Sequence, residues 1–99
     1  MYFKVDTGIN PNEYKCIFTD ALWEELKTGN MKSSWLVLYA RLWCLSYAEF
    51  LRFVRQEYSA TLCGRNSTFI HFYFKNKGDC DRFVKDCNSK FLEWKNTIH

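Results

Sequence analysis

Hydrophobic and polar residues alternate with a period of two in several short stretches, a pattern typical of strands. Residues 2–6 and Tyr14–Phe18 alternate in this way, and residues 7–12 between them contain the Gly, Asn and Pro of a turn. A second pair, Thr61–Cys63 and residues 68–74, flanks another turn containing Gly and Asn. The sequence therefore predicts two β-hairpins.

A period of 3.6 predicts helices in the remaining segments. Thr19 and Asp20 provide caps for a short helix with three large apolar residues, Leu22, Trp23 and Leu26. Ser46 and Glu49 form a capping box for a helix reaching Tyr58. Its predicted apolar stripe comprises Tyr47, Phe50, Leu51, Val54 and Tyr58, and Phe53 falls on its solvent side.

The last predicted helix begins after Asp79, which we expect to be its N-cap. Its apolar residues recur at spacings of four and three, the signature of one helical face. They are Cys80, Val84, Cys87, Phe91, Trp94 and Ile98. Leu92 lies off this stripe, so we expect it at the surface.

Residues 35–45 are apolar except for Arg41 and fit either a strand or a helix. We favour a helix capped by Ser33 and Ser34, with a sharp turn before Ser46. The predicted order is then ββ-α-α-α-ββ-α over one globular domain, residues 1–99. The two hairpins join into one antiparallel sheet, giving a small two-layer α+β sandwich with three to four helices.

The composition adds a heavy aromatic load and an uneven charge. Nine Phe, six Tyr and four Trp occur among 99 residues, and the net charge is +3. Residues 1–30 carry three Lys against five acids, whereas residues 31–99 carry eleven Lys and Arg against six. Aromatic side chains serve both cores and interfaces, so the load raises the question of which rings face outward.

The question of which rings face outward applies most clearly to residues 69–74, which are predicted to form one strand. Alternation sends Ile70, Phe72 and Phe74 to one face of the sheet, and Phe69, His71 and Tyr73 to the other. Both faces are aromatic, and one layer of helices covers one of them. A second copy of the chain or a target protein is expected to cover the other, unless residues 35–45 fold over it.

The sequence contains no pattern that predicts catalysis, a cofactor or a metal site. Five cysteines are present without a C-x-x-C pair, and Cys80 and Cys87 lie on the apolar stripe of a helix, which favours core packing over metal binding. His71, in a strand between aromatic residues, has no recognisable catalytic partner. Without a secretory signal or a run of about 20 apolar residues, we expect a cytoplasmic chain with reduced thiols.

These observations predict a small non-enzymatic protein-interaction module, an adaptor or inhibitor whose composition resembles that of phage- or virus-encoded accessory proteins. Large apolar groups that one helix layer cannot hide would form the partner or homodimer surface. The candidate partner-binding residues are Phe53, Phe69, His71, Tyr73 and Leu92.

The alternative function is binding of single-stranded nucleic acid through the same aromatic face. Bases stack on exposed strand aromatics, and Arg65, Lys75 and Lys77 at the ends of this strand could contact phosphates. Residues 68–87, about a fifth of the chain, resemble the third strand and second helix of an RNA-recognition motif. They lack the glycine and basic spacing of that family's signature.

Overall fold

The computed structural model describes residues 1–7, 13–28, 35–63 and 71–98. Four strands and four helices lie within these ranges, in the order predicted. They are β1 (Phe3–Thr7), β2 (Tyr14–Phe18), α1 (Asp20–Thr28), α2 (Trp35–Leu42), α3 (Tyr47–Tyr58), β3 (Thr61–Cys63), β4 (His71–Phe74) and α4 (Lys77–Ile98).

The four strands form one antiparallel sheet in the order β1-β2-β4-β3. The predicted joining of two hairpins is therefore confirmed, with β2 and β4 in the centre and β1 and β3 at the edges. Phe3 pairs with Phe18, Cys16 with Phe72, and Thr61 with Tyr73. Residues 8–12 and 64–70, where we predicted the turns and the start of the last strand, lie outside the described residues.

The inner face of the sheet carries the core. Phe3, Cys16, Phe72 and Phe74 are all buried there. Tyr39 of α2 packs against this face, with its ring centroid 5.8 Å from that of Phe3 and 5.1 Å from that of Phe72. The helices thus form one layer on one side of the sheet, which is the predicted two-layer α+β sandwich.

Phe83 of α4 lies at the centre of the ring cluster and is fully buried. Its ring stacks on Trp43 at 5.8 Å with an interplanar angle of 4°. It also meets Phe74 and Phe72, each at 5.5 Å, and Tyr58 at 5.1 Å. Much of the aromatic load is therefore used to connect the helices to the sheet.

The helix preferred for residues 35–45 is present as α2, which ends at Leu42. Cys44 follows it in the left-handed conformation, with φ 54°. The Leu45 N–H donates to the Ala40 carbonyl at 3.0 Å, and the Cys44 N–H donates to the Arg41 carbonyl at 3.1 Å. These two hydrogen bonds form a Schellman motif, which supplies the predicted sharp turn before α3. Ser33 and Ser34, the predicted cap, lie outside the described residues.

Ser46 caps α3 as predicted, although only half of the capping box forms. Its hydroxyl oxygen accepts the Glu49 N–H at 3.3 Å, and its O–H donates to the Glu49 carboxylate at 2.7 Å. Two assignments on this helix were wrong. Tyr47 is 47% exposed because it occupies the first helical turn, at the edge of the stripe. Phe53 is half-buried because Trp43, in the turn after α2, covers it at 6.1 Å.

The beginning of α4 also differs from the prediction. Asn76, not Asp79, caps the helix, since its side-chain oxygen accepts the Gly78 N–H at 2.7 Å. Both residue types are good N-caps, and the sequence alone did not separate them. Four residues of the predicted stripe are confirmed as buried: Cys80, Val84, Cys87 and Phe91.

Asn88 of α4 holds the edge strand β1. Its side-chain oxygen accepts the N–H groups of Tyr2 at 2.8 Å and Phe3 at 2.9 Å. Its amide donates to the carbonyls of Phe3 and Val84, both at 3.1 Å. One side chain therefore satisfies four backbone groups and fixes α4 against the sheet.

Candidate partner-binding face of the sheet

The outer face of the sheet presents the residues that alternate with the buried ones. The register aligns them in rows across the strands. One row comprises Asp6, Lys15, Tyr73 and Thr61, and the next contains Lys4 and Ile17. In the described part of the chain, the ring contacts between sheet and helices are made from the opposite, inner face. No described helix packs on the outer face.

Ile17 and Tyr73 lie on the two central strands of this outer face, and both are half-buried. Tyr73 has Lys15 on one side and Thr61 on the other. The Lys15 ammonium lies 3.7 Å from the Asp6 carboxylate, so a basic and an acidic group stand side by side. The surface thus combines an apolar centre with charges of both signs.

The predicted partner residues do not form one patch. Tyr73 lies on the outer sheet face, whereas Phe53 and Leu92 belong to α3 and α4 on the other side of the sheet. Leu92 is 50% exposed, as expected for a residue off the stripe. His71 is the first residue of β4, and Phe69 lies outside the described residues.

The predicted phosphate contacts have different surroundings. Lys75 is exposed just after β4. Lys77 donates to the Asp81 carboxylate at 3.0 Å, and this hydrogen bond raises the pKa of Lys77. Arg65 lies outside the described residues. Among the described residues of this set, Lys75 is thus the cation that is exposed and not ion-paired.

The buried thiols have the properties of packing groups. Cys16, Cys80 and Cys87 are fully buried free thiols. Burial raises the pKa of Cys80 to about 12 and that of Cys87 well above its ordinary range. Both thiols are consequently protonated at neutral pH, and the thiolate is the form that attacks electrophiles or binds metals.

Within residues 1–7, 13–28, 35–63 and 71–98, no group of three or more His, Cys, Asp or Glu side chains is arranged to hold a metal ion. Across the same residues, no helix has the length and apolar character needed to cross a bilayer.

Comparison of the chain with protein-family models, curated proteins and solved structures finds no match. The sheet is therefore the feature of this chain that bears on its function. Sequence alternation identified Tyr73 as an outer-face residue but missed Ile17, Lys15 and Asp6. Their proximity to Tyr73 depends on the pairing of β2 with β4, whose strands are far apart along the chain.

Proposed function

We propose that this protein is a small non-enzymatic protein-interaction module, an adaptor or inhibitor that acts by occupying a surface. Its contact surface is the outer face of the sheet, and a second copy of the chain covers that face in the free protein. The observation that carries this proposal is the position of Ile17 and Tyr73. They stand on the central strands, on the face that no described helix covers.

The charges on this face favour a protein partner over nucleic acid. A surface for single strands follows the phosphates with cations. Here Asp6 stands in the same row as Tyr73 and pairs with Lys15, which neutralises the nearest ammonium group. Lys77 is engaged by Asp81 in the same way.

A second copy suits this face because a two-fold interface brings the same patch against itself. Such a patch must carry both signs of charge around an apolar centre, and Lys4, Asp6 and Lys15 supply them around Ile17 and Tyr73. Pairing buries the apolar centre, whose burial stabilises the complex by about 25 cal/mol per Å² before the costs of association. An adaptor or inhibitor role agrees with the compositional resemblance to small phage- or virus-encoded accessory proteins.

Two matched variants test the proposal. Tyr73→Lys places a cation at the apolar centre, whereas the double variant Lys75→Ala with Lys77→Ala removes the two described cations near the strand. Each is assayed for self-association by sedimentation and for binding of a fluorescein-labelled 20-nucleotide oligothymidine at low salt. We expect Tyr73→Lys to abolish self-association and the double variant to leave it unchanged.

The opposite pattern would contradict the proposal. The nucleic-acid alternative predicts that the protein binds oligothymidine, that the lysine double variant loses this binding, and that the affinity falls steeply between low and high salt. Near-ultraviolet circular dichroism of each variant controls for misfolding, because the ring cluster reports on the core rather than on the outer face.

A further inference from the structure

The outer edge of β1 has backbone hydrogen-bonding groups without a partner among the described residues. In an antiparallel strand, each residue directs its N–H and its C=O to one side of the strand, and the next residue directs both to the other side. Phe3, the first residue of β1, directs both of its groups towards Asn88, away from β2. Just before the strand, the Tyr2 carbonyl accepts the Thr19 N–H on the β2 side and the Tyr2 N–H donates to Asn88. By the same alternation, Val5 and Thr7 direct theirs outward, away from β2.

A groove runs between this edge and α4. Its volume is about 410 Å³, and Val5, Val84, Lys4, Lys85 and Asp81 are among the residues that line it. Lys4 and Lys85 are exposed, and within the described residues neither is ion-paired. Asp81, the acid of the groove, is already neutralised by Lys77 at 3.0 Å.

We infer that this groove binds an extended, acidic segment of a partner protein by adding it as a strand to the edge of β1. Strand addition satisfies the outward N–H and C=O groups, and side chains alternating along the segment enter the groove. The two unpaired ammonium groups favour Asp or Glu side chains in that segment. The site is the edge of β1 rather than the outer sheet face, although Lys4 belongs to both.

The register excludes one pairing of two β1 strands, the one centred on Val5. If two β1 strands paired antiparallel about Val5, Thr7 of one copy would stand opposite Phe3 of the other. The Phe3 backbone is already engaged by the Asn88 side chain, which occupies that position. An incoming segment must therefore pair with Val5 and Thr7 only, and a short peptide is enough to fill the site.

Three peptides test the inference, each acetylated, amidated and labelled with a fluorophore. The first has the sequence TEVEVT, the second is the basic counterpart TKVKVT, and the third is TEVEVT with alternate backbone nitrogens methylated. We expect TEVEVT to bind and to slow amide hydrogen exchange at Val5 and Thr7. The basic and the methylated peptides should bind at least about tenfold more weakly, since one reverses the charge match and the other removes strand pairing.

Protein variants give an independent check. Lys85→Glu should weaken TEVEVT binding about tenfold, a loss of about 1.4 kcal/mol from reversing one exposed charge contact. Arg52→Glu, an equal charge change on the exposed side of α3, should leave it unchanged. Tyr73→Lys should also leave it unchanged, which separates this site from the proposed self-association face.

Several results would overturn the inference. If TKVKVT bound as tightly as TEVEVT, the site would not select acidic segments. If the methylated peptide bound as tightly as TEVEVT, binding would not involve strand addition. Protection of amides elsewhere would also overturn the inference, and so would no binding at millimolar peptide. Protection of Val5 and Thr7 in the peptide-free protein that rises with its own concentration would show that a second copy fills the groove.

Discussion

The side-chain amide of Asn88 pairs with the backbone of Phe3 as a neighbouring strand would. It accepts the Phe3 N–H at 2.9 Å and donates to the Phe3 carbonyl at 3.1 Å, although 85 residues separate the two. Edge strands expose unpaired groups that invite aggregation, and proteins commonly cover or interrupt them. Asn88 closes one half of the β1 edge and leaves the other half, at Val5 and Thr7, available.

Asn88→Ala should destabilise the fold by about 2–3 kcal/mol, because it leaves part-buried N–H and C=O groups of β1 without partners. Urea denaturation followed by circular dichroism measures this free energy. Ser89→Ala, at the next and exposed position of α4, is the matched control and should change stability by less than about 0.5 kcal/mol. Equal effects of the two changes would show that the Asn88 hydrogen bonds do not hold β1.

Cys44→Gly should stabilise the protein by about 1 kcal/mol. Cys44 adopts φ 54°, a conformation that glycine enters without steric cost and other residues enter with strain. Cys44→Val should instead destabilise it by at least as much, because a β-branched residue is strongly disfavoured there. Thermal melts of the three proteins give the order directly, and a valine variant as stable as the glycine variant would disprove the Schellman assignment.

The buried thiol of Cys80 makes stability fall at alkaline pH. Burial raises its pKa to about 12, so the unfolded chain loses this proton before the folded one does. The associated stability is complete below the ordinary cysteine pKa near 9 and is lost as the pH rises towards 12. In Cys80→Ala, the urea midpoint should therefore decline less steeply between pH 9 and 11. Some decline should remain, because burial also raises the pKa values of Cys87, Tyr39 and Tyr58.

Val84→Ala provides the control for this pH dependence. It shortens a buried side chain of the same helix that has no ionisable group, so it should leave the alkaline slope as it is in the parent protein. Parallel slopes for the parent protein and Cys80→Ala would mean that the Cys80 thiol titrates alike in both states, contrary to its burial.

Phe83→Ala should cost about 3–5 kcal/mol, since it removes the ring that connects α2, α3 and the sheet. Leu92→Ala, on the same helix but half exposed, should remain within about 0.5 kcal/mol of the parent protein. Chemical denaturation of both variants compares them. A loss at Leu92 as large as that at Phe83 would reveal a covered surface on α4.

Local patterns predicted the elements well because each element is governed by its own sequence. Alternation gave the strands, and the spacing from Cys80 to Phe91 gave the buried face of α4. Phe53 was misplaced because a helical wheel contains no information about Trp43, which reaches it from the preceding turn. The role of Asn88 could not be predicted either, since its hydrogen bonds depend on how α4 lies along β1.

The candidate surface was likewise predictable only in part from the sequence. The period of two placed Tyr73 on the face opposite Phe72, which depends only on neighbouring residues. The presence of Asp6 and Lys15 beside Tyr73 required the order β1-β2-β4, which involves long-range pairing. That pairing brings an acidic group into the row of Tyr73, which the sequence did not predict and which supports the protein partner that we propose.

Sedimentation equilibrium of the unmodified protein over a range of concentrations gives its solution mass, which shows whether two chains pair through the outer sheet face. A chain of 11.9 kDa that pairs through the outer sheet face should approach twice that mass. The dimer should persist at high salt, because its centre is apolar. A constant mass of one chain up to the highest concentration would show that the outer sheet face does not pair two chains.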